Sequence, residues 1–357
     1  MSAVIIAEAG VNHNGDLGRA LALVDTAADA GADMVKFQSF VADEVVSRQA
    51  PKCDYQRATT DAAETQHAMI KRLELDRAAH ERIMARCAER RIRFLSTPFD
   101  LPSLRLLTEQ LGLRLVKIPS GEITNAPLLL AAAGGGADII LSTGMSDLDD
   151  VRRALGVLAF GYLGGGGKPG ADSFAAAFAD TQGRAMLAKK VTLLHCTTEY
   201  PAPYEDVNLR AMDTLREAFG LPVGLSDHSP GINVAIAAAA RGAVMIEKHF
   251  TLDRSLPGPD HKASLEPGEL KAMVEGIRQV ERALGDGRKI PAPSEIKNMA
   301  AVRKCLVARR AIRAGEAFSE DNLAVKRAGG GIAPDRYWDW LGRAATRAYA
   351  EDEAIEP

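Results

Sequence analysis

Two histidines, His228 and His249, stand about twenty residues apart, each behind a short apolar run that ends in polar residues. In GLSDHSPGI (224–232) the run Val223, Gly224, Leu225 leads to Ser226, Asp227 and His228. In EKHFTLDRSLPGPDH (247–261) the run Val244, Met245, Ile246 leads to Glu247, Lys248 and His249. NVAIAAAARGA between them has an Ala-rich helical pattern. Strand, helix, strand makes the two strands parallel. Parallel neighbours finish on one side of a sheet, so the imidazoles can converge, a pairing suited to a divalent transition metal. The bland alternative, a hydrogen-bonded histidine at a strand end, fits one such residue better than two at equivalent ends.

Comparable ends recur along the chain. Apolar runs finish in Glu8, in Lys36 and Gln38, in Ser96 and Thr97, in Lys117 with Ser120 and Glu122, in Ser142 and Thr143, and in Thr197 to Tyr200. Lysines with hydroxyls, and no P-loop, suit the phosphate and carboxylate of a small ligand. Lys36 and Lys117 lie inside apolar runs, where an unpaired ammonium is costly. They call for an anionic ligand or a buried carboxylate such as Glu8 or Glu122. A metal beside an anion site implies Lewis-acid activation of a carbonyl next to a phosphorylated partner. The residues alone therefore indicate metal-assisted carbon–carbon bond formation or cleavage on a sugar-like substrate. A metal-dependent hydrolase would need a third or fourth protein ligand and a base for water, neither of which is evident. His195 reads as a hydrogen-bonded core residue, and His261 as a loop residue with a weaker claim as a further ligand. His13 is ambiguous; His67 and His80 read as surface residues on helix faces.

Eight strand patterns position these ends, at 4–10, 33–40, 92–99, 114–122, 137–145, 190–201, 222–228 and 243–250. Helical patterns follow them, at 17–32, 66–90, 100–111, 125–134, 147–160, 208–219, in the Ala-rich run, and at 266–285. That alternation predicts an α/β chain folded as a (β/α)8 TIM barrel, with active-site groups where the strands end. An open doubly wound sheet is the runner-up, but the Gly-rich dinucleotide turn is missing after the first strand. Residues 41–65 are too long for a plain connector and read as a lid or substrate loop. GYLGGGGKPGADSF opens a stretch, 161–189, that reads as a flexible surface insertion without a catalytic role. The domains read as a barrel over 1–286, a linker over 287–298 and a small β-rich domain over 299–357. So small a domain is marginal alone and is expected to dock on a barrel, its own or a neighbour's.

Composition narrows the function classes. The chain has 357 residues, 46% hydrophobic and 25% charged, as for an ordinary soluble domain. A net charge of −3 gives no support for a nucleic-acid partner, which would favour a basic patch. No apolar run reaches membrane-spanning length, and MSAVIIAEAG lacks the basic start of a signal peptide. Cys53, Cys87, Cys196 and Cys305 have no metal-ligand spacing and read as reduced thiols in a cytoplasmic protein.

The chain resembles the sialic acid (nonulosonic acid) synthase family. The stretches that carry this are IIAEAGVNHNGD, VKFQSF, STPFD, KIPSGEITN, LSTGM, LLHCTTEYPAPYEDVNL, GLSDHSPG, EKHFTLDRSLPGPDHKAS and VKRAGGGI, spread from residue 4 to about 345. The resemblance implies a (β/α)8 barrel followed by an antifreeze-like (SAF) domain, in a domain-swapped homodimer. It implies condensation of phosphoenolpyruvate with an N-acetylated mannose-type sugar, releasing phosphate. By motif, His228 and His249 would hold Mn²⁺ or Mg²⁺. Lys36, Thr97, Lys117, Ser120, Ser142 and Ser226 would bind phosphoenolpyruvate. Glu8, Gln38, Tyr200 and Asp260 would face the sugar and a metal-bound water, with Glu8, Asp260 and the acid/base Glu122 as the catalytic carboxylates. Arg327 would reach the sugar's N-acetyl group in a partner subunit. Where that motif commonly reads KRPGNG or KRPGTG, this chain has Ala328 and Gly330, which loosens the loop bearing Arg327.

The leading expectation is N-acetylneuraminate synthesis from N-acetylmannosamine. The alternative is legionaminic acid synthesis from 2,4-diacetamido-2,4,6-trideoxymannose, with pseudaminic acid synthesis third. A silent sugar-binding protein would have no reason to keep Glu8, Lys36, Lys117, His228, His249 and Asp260 together.

Overall fold

The computed structural model describes residues 2–52 and 64–357. Eight strands form the first unit: β1 (Val4–Gly10), β2 (Met34–Ser39), β3 (Arg93–Pro98), β4 (Leu115–Ile118), β5 (Asp138–Ser142), β6 (Val191–Cys196), β7 (Val223–Asp227) and β8 (Met245–His249). Every ladder is parallel, in the order β3-β2-β1-β8-β7-β6-β5-β4. β3 and β4 lie side by side and complete the ring. The architecture is the expected (β/α)8 barrel.

Because side chains alternate across a strand, every second residue points into the barrel. The lower interior layer is apolar, with Ile6, Met34, Leu95, Ile140 and Leu194 packed together. Two residues further along the same strands stand Glu8, Lys36, Thr97, Ser142 and Cys196. The plug thus seals one end and leaves a polar layer above it. The opposite strand faces pack on the helices in the main core, through residues such as Ile5, Val35, Val116, Ile139, Leu193 and Ile246.

Several elements depart from the sequence expectation. The single helix expected over 66–90 is two, Gln66–Lys71 and Arg77–Arg90. Asp76 restarts the second by accepting a hydrogen bond from the Ala79 amide at 2.8 Å. Between Ala42–Val45 and Gln66–Lys71, the expected lid falls partly on residues 53–63, outside the described residues. His80 is not a surface residue. It is fully buried, its Nε2 lying 2.7 Å from Ser39 Oγ and its Nδ1 2.8 Å from the Asp76 carbonyl.

The 161–189 stretch is mostly ordered helix rather than a flexible insertion. Ala171–Ala179 and Thr181–Lys190 pack against Leu148–Tyr162. The Phe160 and Phe174 rings meet edge to face at 5.3 Å, and Asp180 caps the second helix through the Gln182 and Gly183 amides. The glycine run is confined to the preceding turn, while SFAAAFA supplies an apolar helix face. Gly183 sits where a Cβ would fall 2.1 Å from the Ala177 carbonyl oxygen.

The second unit spans Asp286–Pro357. The expected linker is partly a helix, Pro293–Val302, begun by a proline at its first turn. Strands β9 (Cys305–Ala308) and β10 (Leu323–Lys326) pair antiparallel. Leu306, Ile312, Phe318, Leu323, Ile332, Tyr349 and Ile355 form this unit's own core. Among the described residues no helix is long and apolar enough to cross a membrane, and Cys87, Cys196 and Cys305 are free thiols.

Two predictions follow from packing. Gly183→Val should force the two added helices off Leu148–Tyr162. A cost of about 1–3 kcal/mol, typical of overpacking, would show as a lower Tm by calorimetry; an unchanged Tm would restore the flexible-insertion view. The second concerns His261, fully buried with Nδ1 2.6 Å from Thr251 Oγ1 and its pKa held by burial at about 4. Unfolding returns the group to 6.5, so the unfolded chain takes up the proton first. Stability is therefore lost as pH falls from 6.5 toward 4, and is unaffected above that window. His261→Gln should flatten this part of the urea-midpoint profile relative to the parent; an identical profile would refute it.

Candidate active site

The polar layer at the strand ends lines a cavity of about 400 Å³. Its floor is a buried chain of charges. Glu8 on β1 stands opposite Lys36 on β2, and their side chains pair at 2.8 Å. Lys36 also donates to Thr97 Oγ1 on β3 at 2.9 Å. Glu247 on β8 lies 3.6 Å from Lys36 and accepts from Lys117 on β4 at 2.8 Å. Ser226, its partner across the β7–β8 ladder, donates to the same carboxylate at 2.8 Å. All four charged groups are almost completely buried.

The two carboxyls are driven apart. Burial raises the Glu8 pKa, and the neighbouring Glu247 adds to this against the pull of Lys36. Burial alone would raise Glu247 as well, but Lys117 and Lys36 hold it well below the usual carboxylate range. Glu247 is thus the fixed anion and Glu8 the group that takes a proton more readily, an acid/base division of two carboxyls by environment. Lys36 stays charged because Glu247 and Glu8 outweigh its desolvation.

Above this floor His228 and His249 approach to 5.5 Å between ring centroids, beside the Tyr200 ring at 4.2 and 5.6 Å. His228 Nδ1 lies 2.7 Å from the Thr197 carbonyl, which can only accept, so Nδ1 carries the proton and Nε2 offers its lone pair. Cys196 Sγ is 3.7 Å from the same nitrogen. His249 Nδ1 is buried without a hydrogen bond, 3.9 Å from Asp260 Oδ2. Burial, with the nearby Lys36 ammonium adding to it, keeps His249 well below its ordinary pKa and hence neutral. Burial pushes the Asp260 carboxyl up to about 6. The donors fit a divalent transition ion: two converging imidazoles, one held by a backbone carbonyl and the other with an orphaned nitrogen. Among the described residues no cluster of three His, Cys, Asp or Glu side chains closes around one point.

Glu8, Lys36, Gln38, Thr97, Lys117, Ser120, Ser142, Tyr200, Ser226, His228, His249 and Asp260 all line this one cavity. Ser142 and Thr198 hydroxyls there are buried without partners, and Ser120 Oγ accepts from the Gly144 amide at 3.0 Å. Two expected residues are placed elsewhere. Glu122 does not line the cavity; its carboxylate accepts from Asn125 Nδ2 at 2.6 Å in the turn after β4. Arg327 belongs to the second unit, where it is exposed just behind β10. The loop after it bends at Gly330 (φ +152°) and Gly331 (φ +135°), and Cys305 Sγ donates to the Gly330 carbonyl. A side chain at 330 would be strained in that conformation, so Gly330 suits its loop. His261 makes its own contact with Thr251 and is not among the cavity residues.

Glu247 is the residue that the sequence reading left out. Its signal was period two: Glu247 and His249 share a strand face, whereas Lys248 takes the other. Lys248 accordingly points away from the cavity and pairs with Asp227 at 2.9 Å, both side chains 1% exposed. It also donates to the Ser229 carbonyl, while Asp227 accepts from the Ser229 amide and hydroxyl at 2.9 and 2.6 Å. This knot fixes the backbone on both sides of His228.

Sequence and structure comparisons relate this chain to known enzymes. The NeuB family profile matches residues 23–289, and that of the SAF domain residues 303–357. A N,N'-diacetyllegionaminic acid synthase of Campylobacter jejuni is 52% identical over 99% of this chain and 98% of its own length. One of Legionella pneumophila is 44% identical over 96% and 90%. The crystal structure of an N-acetylneuraminic acid synthetase from Leptospira borgpetersenii, in complex with citrate, superposes with a TM-score of 0.66 at 33% identity, covering 84% of this chain and 90% of that one. The chain belongs to the NeuB family of nonulosonic acid synthases and carries a SAF domain that follows the barrel in the sequence.

The Asp227–Lys248 knot makes a direct prediction. Lys248→Met leaves a buried carboxylate without its cation, which costs about 3–5 kcal/mol. The double variant Asp227→Leu, Lys248→Met should recover most of that loss in urea unfolding; a double variant no more stable than the single one would disprove the pairing.

Proposed function

We propose that this enzyme joins phosphoenolpyruvate to 2,4-diacetamido-2,4,6-trideoxymannose, giving N,N'-diacetyllegionaminic acid and inorganic phosphate. The observation that carries this reading is the near full-length 52% identity to a synthase of that product, against 33% for a neuraminic acid synthetase. This reverses the order of the two readings taken from sequence alone.

The cavity supports the same choice on physical grounds. Away from the charged floor its wall is apolar, with Val11, Phe40, Val45, Met69, Ile70, Leu73 and Phe99. Val11, Phe40 and Leu73 form a small cluster on which Val45, Ile70 and Phe99 pack. A 6-deoxy sugar with two acetamido groups presents several methyls, and each buried methyl-sized group stabilises by about 0.8 kcal/mol. The 6-hydroxyl of N-acetylmannosamine against such a wall would lose its hydrogen bonds to water, at about 1–3 kcal/mol.

In this reading Lys36 and Lys117, with Thr97, Ser120, Ser142 and Ser226, bind the phosphate and carboxylate of phosphoenolpyruvate. A divalent ion held by His228 and His249 supplies Lewis-acid polarisation of the sugar aldehyde when bound. The floor and wall hold C3 of phosphoenolpyruvate against that aldehyde, where the new carbon–carbon bond forms. Water adds at C2, and Glu8 is the carboxylate placed to take its proton. Loss of phosphate by C–O cleavage then develops negative charge beside Lys117 and Lys36, which stabilise it.

The test is phosphate release from phosphoenolpyruvate in Mn²⁺, with the two sugars offered side by side. The diacetamido sugar should show at least about tenfold higher kcat/KM, the factor worth 1.4 kcal/mol. Equal use, or a preference for N-acetylmannosamine, would return the enzyme to the neuraminate reading. EDTA should abolish turnover and added Mn²⁺ restore it; activity that survives chelation would remove the metal from the mechanism.

A further inference from the structure

Glu247 occupies an unusual place for a carboxylate. Its Oε1 receives hydrogen bonds from Lys117 Nζ and Ser226 Oγ, both at 2.8 Å, and its Oε2 lies 3.6 Å from Lys36 Nζ. Those three donors are the ones assigned above to an anionic ligand. An internal anion is therefore seated among the groups that must hold an external one. The charges also cancel. Lys36 and Lys117 face Glu8 and Glu247, so an incoming phosphate dianion meets two positive charges already matched by two negative ones.

The fold keeps Glu247 in place without those lysines. It sits in the middle of β8, opposite Ser226 in the ladder, and the next residue along the strand, Lys248, is committed to Asp227. The ladder holds the backbone of Glu247 when Lys117 turns toward a ligand. A lysine ammonium has three protons, so Lys117 can move between the two acceptors by side-chain rotation alone. Meanwhile Lys36 keeps Glu8 and Thr97 as partners at 2.8 and 2.9 Å.

We infer that Glu247 is a built-in competitor of phosphate: it takes Lys117 back as the anion leaves, and so keeps the product from being held too tightly. This rests on the reading of the floor as a phosphoenolpyruvate site. It assigns Glu247 a part in release rather than in bond formation. A purely structural carboxylate would make the opposite prediction, because its loss would loosen the lysines and weaken every anion.

The experiment is calorimetric titration of the full-length protein with inorganic phosphate, comparing the parent, Glu247→Gln and Glu247→Asp. The Gln variant keeps the shape and the acceptor oxygen for Ser226 but removes the charge. It should bind phosphate about tenfold or more tightly, as expected when one like charge is removed from a buried anion site. The Asp variant keeps the charge and should stay within about threefold of the parent, under half a decade in Kd. In turnover, Glu247→Gln should show a lower KM for phosphoenolpyruvate, a lower kcat and stronger inhibition by added phosphate. Unchanged or weaker phosphate binding in Glu247→Gln overturns the inference, as does equal tightening in Glu247→Asp. Titration with phosphoenolpyruvate separates the causes. If it binds the parent but phosphate affinity ignores the Gln substitution, only the role of Glu247 falls. If neither anion binds the parent, the reading of the floor falls with it.

Discussion

The structure is built around two lysines inside a barrel. An ammonium cut off from water costs several kcal/mol unless a partner and further hydrogen bonds compensate it. Lys36 and Lys117 meet that requirement through Glu8, Thr97, Ser226 and Glu247, contributed by four other strands. The apolar layer beneath closes the barrel to water from below. The charged layer therefore faces solvent only through the cavity, where field lines from fixed charges are least screened. That arrangement limits the charged layer to ligands that enter through the cavity.

Alternation along the strands separates chemistry from support. On β7 and β8 the inward residues Ser226, His228, Glu247 and His249 meet the cavity, and the outward Asp227 and Lys248 tie the same strand ends together. The histidine side chains are thereby aimed by a rigid backbone rather than by a loop. The same logic operates around Ser39, Ser96 and His80, an outward-facing hydrogen-bond chain behind the polar ends of β2 and β3. In both places a buried polar group outside the cavity ties down a strand that carries cavity residues.

The barrel was legible because eight apolar runs, each with a polar end, leave few other ways to bury their faces. The cavity residues were legible for the same reason, since strand ends of parallel neighbours must cluster. What escaped was whatever depends on side-chain direction or on a distant partner. Glu247 was passed over because a carboxylate between an apolar run and a histidine has no local mark of its role. Glu122 was placed in the site by its motif, yet it lies past the end of β4, where the chain has turned and Asn125 takes the carboxylate. His80 looked like a surface residue because its helix is rich in charge, while its own position faces the barrel wall. The helices at 171–190 were hidden by the glycines before them. The apolar cavity wall was not legible either, because Val11, Phe40 and Leu73 come from segments far apart in the chain.

The Asp227–Lys248 pair carries a consequence for how such a barrel can change over generations. Either residue alone is a liability, since a lone charge remains between strands and helices. A lineage that loses one must lose the other at nearly the same time, or pass through a poorly folded ancestor. The two positions should therefore drift as a unit or hardly at all. The part of the sequence most resistant to single-step change would then lie just behind the histidines, on the side no substrate ever reaches.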